Sequence, residues 1–141
     1  EVDMALGTVR VLRVTAAHDV GRAINPSQAE GQDEGAAVMA MGHTLLESLV
    51  YSGGQPLNPN LVDYRVPGFR DIPQRFQSSL LENGDGPGPY GAKGMGEGGI
   101  IPVAPAICNA IAQATGVRMR ELPLTPERVW RALRTQDIRR P

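Results

Sequence analysis

The stretch Tyr90-Gly91-Ala92-Lys93-Gly94-Met95-Gly96-Glu97-Gly98-Gly99 holds the arrangement in this 141-residue chain that reads most directly as chemistry: a carboxylate, Glu97, with glycines on both sides. Residues 83–105 around it contain eight Gly and four Pro. Glycine is favoured where the backbone takes positive φ or where another group must come close, at a cost of roughly 0.5–1 kcal/mol against Ala inside regular elements. A composition so unfavourable to order needs a reason, and a binding loop carrying an acid supplies one. Glu97 has no bulky neighbours of its own. A partner closing over it would desolvate the carboxylate, the condition under which such a group becomes an effective general base. The competing reading of a single Glu on a loop is a solvated or structural charge.

Other candidate residues are weaker. Gly94-x-Gly96-x-x-Gly99 has the form of a dinucleotide fingerprint, but residues 83–92 are not a strand pattern, Pro102 and Pro105 crowd the helix that follows, and an acid inside the loop would repel pyrophosphate. His18 and His43 sit in different elements with no Cys or carboxylate at ligand spacing, so both read as surface or packing residues and no metal ligand is assigned. Cys108 falls in an apolar helix and reads as a small hydrophobe. Ser78-Ser79 lacks the glycines of a nucleophile elbow, and Arg139-Arg140 reads as a solvated tail.

The elements that must position Glu97 follow from pattern and punctuation. Residues 8–17 are rich in Val and Leu, with the alternation slipping phase between Val11 and Leu12, as at a bulge or in a strand covered on both faces. Ala5-Leu6-Gly7 would turn residues 1–4 back onto it as a hairpin. Asn25-Pro26 has the form of an N-cap followed by Pro at the first helical position, with Gln28 at the capping-box position. The helix it starts is expected to reach about residue 50, with Val38, Gly42, Leu45 and Leu49 on one stripe. Ala29, Gly31, Gly35, Ala36, Ala37 and Ala40 leave its first half almost without bulk, and each interior Gly costs about 1 kcal/mol of propensity. Backbone or ligand must therefore pack very close to that face, where Gln32 and Glu34 are the polar groups. Ser52-Gly53-Gly54-Gln55-Pro56 is a turn. Val62, Tyr64 and Val66 predict a half-buried strand stopped by Pro67, and Phe76, Ser78 and Leu80 a second over 75–82. Beyond the glycine loop, Ile107, Ala110, Ile111 and Ala114 predict a helix over 103–115 capped by Gly116, and Thr125-Pro126-Glu127 opens a last helix over 126–134 with Val129, Trp130 and Leu133 inward. Strands and helices do not alternate regularly, so the fold class is α+β.

With 14 basic against 15 acidic residues the chain has no electrostatic footprint for nucleic acid or an anionic membrane. One Cys rules out an internal disulfide framework, and no apolar run approaches the length of a membrane helix. The expectation is one soluble, cytoplasmic domain over 1–141, beginning in mid-structure as a piece cut or split from something larger.

Taken in order, Asp19-Val20-Gly21-Arg22-Ala23-Ile24-Asn25-Pro26, Gly31-Gln32-x-Glu34-Gly35, Leu57-Asn58-Pro59-Asn60-Leu61-x-Asp63-Tyr64, Gly91-Ala92-Lys93-Gly94-Met95-Gly96-Glu97 and Glu121-Leu122-Pro123-Leu124-Thr125-Pro126-Glu127 resemble the C-terminal part of the molybdenum-binding subunit of the xanthine dehydrogenase and aldehyde oxidase family. The resemblance covers nearly the whole chain. It implies a two-layer α+β domain of the molybdopterin-binding type, with a mixed sheet and packed helices. It implies that Glu97 is the catalytic base, that Lys93, Gly94, Met95 and Gly96 pass beside the molybdenum, and that Gln32 lies near the pterin. The cofactor would be molybdenum–molybdopterin in a dinucleotide form. Iron–sulfur clusters and FAD would sit on partner subunits or domains, and the reaction would hydroxylate or dehydrogenate aldehydes or N-heterocycles. The remainder of the molybdenum-binding subunit is then an obligatory partner, and the isolated chain is expected to be inactive. Gly98-Gly99 depart from the two prolines of many xanthine- and aldehyde-oxidising members, which leaves the substrate open. The alternative is a non-catalytic assembly or scaffold module of the same complex, and a nucleotide-binding module comes third.

Overall fold

The computed structural model describes residues 1–137, so Arg139-Arg140 lies outside the described residues. The element order is β1 (Arg13–Asp19), α1 (Pro26–Leu45), β2 (Tyr51–Ser52), β3 (Gln55–Pro56), β4 (Arg75–Leu81), α2 (Val103–Thr115) and α3 (Pro126–Asp137), with single 3₁₀ turns at Phe69–Asp71, Pro89–Gly91 and Gly98–Ile100. β1 and β4 pair in parallel, from Arg13 opposite Arg75 to Asp19 opposite Leu81, and β2 and β3 form a short antiparallel hairpin. The class is α+β, with both strand senses. The core joins Ala37, Ala40 and Met41 of α1 to Val103, Ile107 and Ile111 of α2 and Val129 and Leu133 of α3, and Val14 of β1 and Phe76 of β4 pack against it.

Local chemistry explains most boundaries. Asn25 caps α1, its side-chain oxygen accepting from Gln28 N at 3.2 Å with Pro26 first in the helix. Gly116 closes α2 at φ 78°, its N–H donating to Ala112 O. Gly53 and Gly54, both at positive φ, turn β2 into β3. Thr125 caps α3 through Arg128 N. Val129 and Leu133 are buried as expected, but Trp130 is 39% exposed, its ring lying under the Arg134 guanidinium.

Several expectations need correction. α1 ends at Leu45, where Leu46 N and Glu47 N both bond to Gly42 O, and residues 48–50 are taken up by Asn58, which accepts from Val50 N and donates to Ser48 O. The buried face of α1 is the small-residue one, Asp33, Ala36, Ala37, Ala40, Met41 and Thr44, with Gly42, while Leu49 lies outside the helix and is exposed. Residues 62–66 form no strand: Asn60 Oδ1 accepts from Val62 N and Asn60 O from Asp63 N and Tyr64 N, a side-chain-stabilised turn that displaces the extended form. The phase slip near Val11 is the join between two pieces. Residues 1–10 form a loose hairpin around a single Val2–Val9 bridge, and β1 begins after it with one face exposed rather than both covered. The apolar stretch Gly98–Thr115 does reach the length and composition of a membrane span, contrary to expectation. Its continuous α-helix is the 13 residues of α2, however, about 20 Å against the roughly 30 Å of a hydrocarbon core.

β1 has one edge unpaired among the described residues. Leu12 O and Val20 N bond to Arg75 N and Leu81 O, so even-numbered residues face β4. The peptide groups of Arg13, Thr15 and Ala17 point the other way.

Candidate functional site

The loop bearing Glu97 is tied down at its root and bare at its tip. Gly84 N donates to Gly21 O at 2.8 Å and Lys93 N to Val20 O at 2.9 Å, so both ends of residues 84–93 hang from the turn that follows β1. Between them Gly86 N donates to Gly91 O and Gly88 N to Ala92 O. Gly91 is obligatory here, since its φ is 78° and a Cβ on it would run into the Gly84 backbone.

Lys93 does not reach outward with its charge. Its ammonium lies 2.7 Å from Asp19 Oδ2 and 2.8 Å from Asp85 Oδ1. The bond from Lys93 and the N–H of Gly21 hold the Asp19 carboxyl below its ordinary value, and Asp19, then Asp85, hold Lys93 above its own. This residue secures the loop by its side chain.

Gly94 and Gly96 differ from Gly91. Neither has positive φ, and a Cβ built on either would meet nothing within 4 Å. Gly31 and Gly35, one turn apart on α1, are the same. Nothing inside the described chain requires glycine at these four positions, and two of them weaken a helix. They are positions where bare backbone faces outward, as close approach of a large group demands. Gln32, between them in sequence, donates from Nε2 to Gly96 O at 3.0 Å, which brings two of the expected cofactor residues together across 64 positions. Met95 is half-buried between the two loop glycines.

Glu97 follows on the exposed surface at the head of the turn Gly98–Ile100, its carbonyl accepting from Ile100 N at 3.0 Å. Its carboxylate makes no hydrogen bond or ion pair among the described residues. Of the expected site residues, Gln32, Gly94, Gly96 and Glu97 are exposed and Met95 half-buried, Gln32 is bonded to the loop at Gly96 O, and the Lys93 ammonium is held by Asp19 and Asp85. A cavity of about 740 Å³ between β1 and α2 is lined by Gly98 and Gly99 and by none of the six expected site residues.

Sequence reasoning missed what lies under the turn. Asp33 of α1, 2% exposed, accepts from Ser78 Oγ of β4 at 2.8 Å and pairs with His18 Nδ1 of β1 at 3.2 Å. A carboxylate acceptor assigns the proton to Nδ1. The glycines at 98 and 99 were the available signal, because they lie directly on this group. Cys108 is half-buried, and burial pushes its thiol up. The exposed His43 pairs with the largely buried Glu47 carboxylate at 3.3 Å. Among the described residues no three His, Cys, Asp or Glu side chains cluster as a metal site.

A glycine loop that offers bare backbone and one unpaired acid, bonded to a helix with Gly31 and Gly35 on its exposed side, suits the close approach of a large group. Comparison with known proteins says which. The family model for the molybdopterin cofactor-binding domain matches residues 1–73. A putative xanthine dehydrogenase molybdenum-binding subunit of Escherichia coli K12 is 44% identical over 131 residues, covering 92% of this chain and 17% of that protein. An aldehyde oxidoreductase molybdenum-binding subunit of the same organism is 38% identical over 130 residues, 91% of this chain and 18% of that one. Among solved structures, the aldehyde oxidoreductase of Desulfovibrio gigas superposes with a TM-score of 0.85 at 33% identity, over 94% of this chain and 14% of its own. Quinoline 2-oxidoreductase of Pseudomonas putida 86 gives 0.80 at 35% identity, over 94% and 17%. The chain belongs to the molybdopterin cofactor-binding domains of the xanthine dehydrogenase and aldehyde oxidase family, and it spans about a sixth of the length of the relatives it matches.

Proposed function

We propose that this chain is the part of a molybdenum-cofactor-dependent oxidoreductase that supplies its general base, Glu97, and one wall of its pterin site, acting on aldehydes or N-heterocycles once joined to the remainder of the molybdenum-binding subunit. Iron–sulfur and FAD subunits or domains complete the electron path in this reading. The observation that carries it is the free carboxylate of Glu97 beside backbone left bare at Gly94 and Gly96. When bound, the cofactor supplies the oxygen-transfer and electron-accepting chemistry. Gly31, Gly35, Gly94 and Gly96 would let a flat group lie against backbone, and Gln32 would fix the height of the loop through Gly96 O while offering its remaining amide atoms. Closure by the rest of the subunit would remove water from Glu97, whose carboxylate oxygen would then take the proton from the oxygen nucleophile as that oxygen bonds to the substrate carbon, while the hydride equivalent the carbon loses would pass to the cofactor.

The test is Glu97→Gln in the assembled enzyme, with molybdenum and pterin content measured alongside turnover of an aldehyde and of an N-heterocycle. Loss of a positioned base should lower kcat by about 10²- to 10⁴-fold with the cofactor retained. Undiminished turnover with molybdenum bound sinks the assignment.

A further inference from the structure

We propose that His18 and Asp33 are positioning residues for Glu97: together they fill the space beneath Gly98 and Gly99 and so fix where the turn carrying the acid can lie. The proposal rests on the reading of Glu97 as the base. It begins from a misfit. Asp33 is 2% exposed on the face of α1 that otherwise buries Ala36, Ala37, Ala40 and Met41. A buried carboxylate is unfavourable unless its oxygens are satisfied, and a small apolar residue would serve that face without any such requirement. Here the oxygens are satisfied from two other elements, Ser78 of β4 at 2.8 Å and His18 of β1 at 3.2 Å, so three elements converge on one group.

What that group supports is shown by the two glycines over it. Neither Gly98 nor Gly99 has positive φ, so glycine is not needed there for its conformational freedom. A side chain there would instead have to displace the groups beneath it. A Cβ on Gly98 would stand 2.8 Å from His18 Cε1 and 3.1 Å from His18 Nε2, and one on Gly99 would stand 2.7 Å from Asp33 Oδ1 and 3.1 Å from Ala36 Cβ. The backbone immediately after Glu97 thus rests on the imidazole and the carboxylate. The residue before Glu97 is held by Gln32, next to Asp33 on the same helix, through its 3.0 Å bond to Gly96 O. Glu97 is clasped on both sides by consecutive residues of α1, one of them bonded to the imidazole floor, and its own carbonyl closes the turn on Ile100 N at 3.0 Å.

The experiment uses the complete molybdenum-binding subunit assembled with its partners, carrying His18→Gln, Asp33→Asn or Ser78→Ala, with Glu97→Gln in parallel. Displacement of the base by a fraction of an ångström should lower kcat about tenfold to a hundredfold, leave KM within about twofold, and leave molybdenum and pterin content unchanged. Amide hydrogen exchange at residues 97–100 should quicken in the His18 and Asp33 variants, with or without cofactor. Gly98→Ala should lower kcat in the same way, and adding His18→Ala should restore part of it, because the methyl then enters the vacated space. If Asp33→Asn fails to fold, His18→Gln and the Gly98/His18 pair decide alone. Unchanged exchange and kcat in those variants, with Glu97→Gln inactive, overturns the proposal. If Glu97→Gln itself retains activity with cofactor bound, the reading of the base has failed, and the exchange data alone decide whether His18 and Asp33 hold the turn.

Discussion

Lys93 shows how a residue expected at a site can be engaged within its own chain. The resemblance places it beside the cofactor, yet its ammonium is spent inside the chain on Asp19 and Asp85, and what it contributes outward is the path of the backbone after it. The pH window of this tether follows from the direction of each shift. Asp19 is held below its ordinary 3.8, so its contribution is present above 3.8 and is lost as pH falls through the lowered value. Lys93 is held above its ordinary 10.5, so its contribution is present below 10.5 and is lost as pH rises through the raised value. Protease nicking or amide exchange over residues 84–93 should be level between those limits and rise on the acid side below 3.8. In Lys93→Met the loop should nick faster throughout and the acid limb should flatten. All three groups are partly exposed, so added salt should weaken the tether.

Among the elements, α1 carries the clearest conflict between stability and binding. Gly35 sits mid-helix at ordinary φ with open space where its Cβ would be. Gly35→Ala should therefore stabilise the cofactor-free domain by roughly 0.5–1 kcal/mol, read by urea or thermal unfolding. In the assembled enzyme the added methyl stands where the cofactor would approach, and pterin retention on gel filtration should fall. A variant that is both stabler and equally well loaded would remove α1 from the cofactor wall. The same helix shows what a sequence can disclose. Its start was legible because Asn25-Pro26 is a local device acting over three residues, as were the Gly116 cap and the Gly53-Gly54 turn. Its end was not, because Asn58 reaches back eight to ten residues to capture Val50 and Ser48. The strand expected at 62–66 failed against a local competitor, Asn60, whose side chain forms the turn first. The glycine loop and the small-residue helix were legible from composition, and the structure adds the bond from Gln32 to Gly96 O that joins them. The seat under the turn was not, because His18 and Ser78 lie 15 and 45 positions from Asp33 and no spacing rule joins them.

At the scale of the whole molecule, the described chain closes a core but no site. Glu97, Gly94 and Gly96 are exposed, and none of them lines the 740 Å³ hollow beside β1. This accords with a chain covering 17% of its relative's length. The unpaired side of β1 has a more immediate effect. Its outward N–H and C=O groups at Arg13, Thr15 and Ala17 lie beside the apolar flank of α2 formed by Ala106, Ala110 and Ala114. A strand so exposed is a template for another strand. Light scattering of the isolated chain should show association that grows with concentration, and Thr15→Pro should suppress it without unfolding, since the N–H removed is not one that bonds β4. Association unaffected by that change would shift attention to another face. Anyone producing this polypeptide by itself should thus expect fibrils or inclusion bodies as the competing product, and a tethered extended peptide laid along that border would be the direct way to keep it in solution.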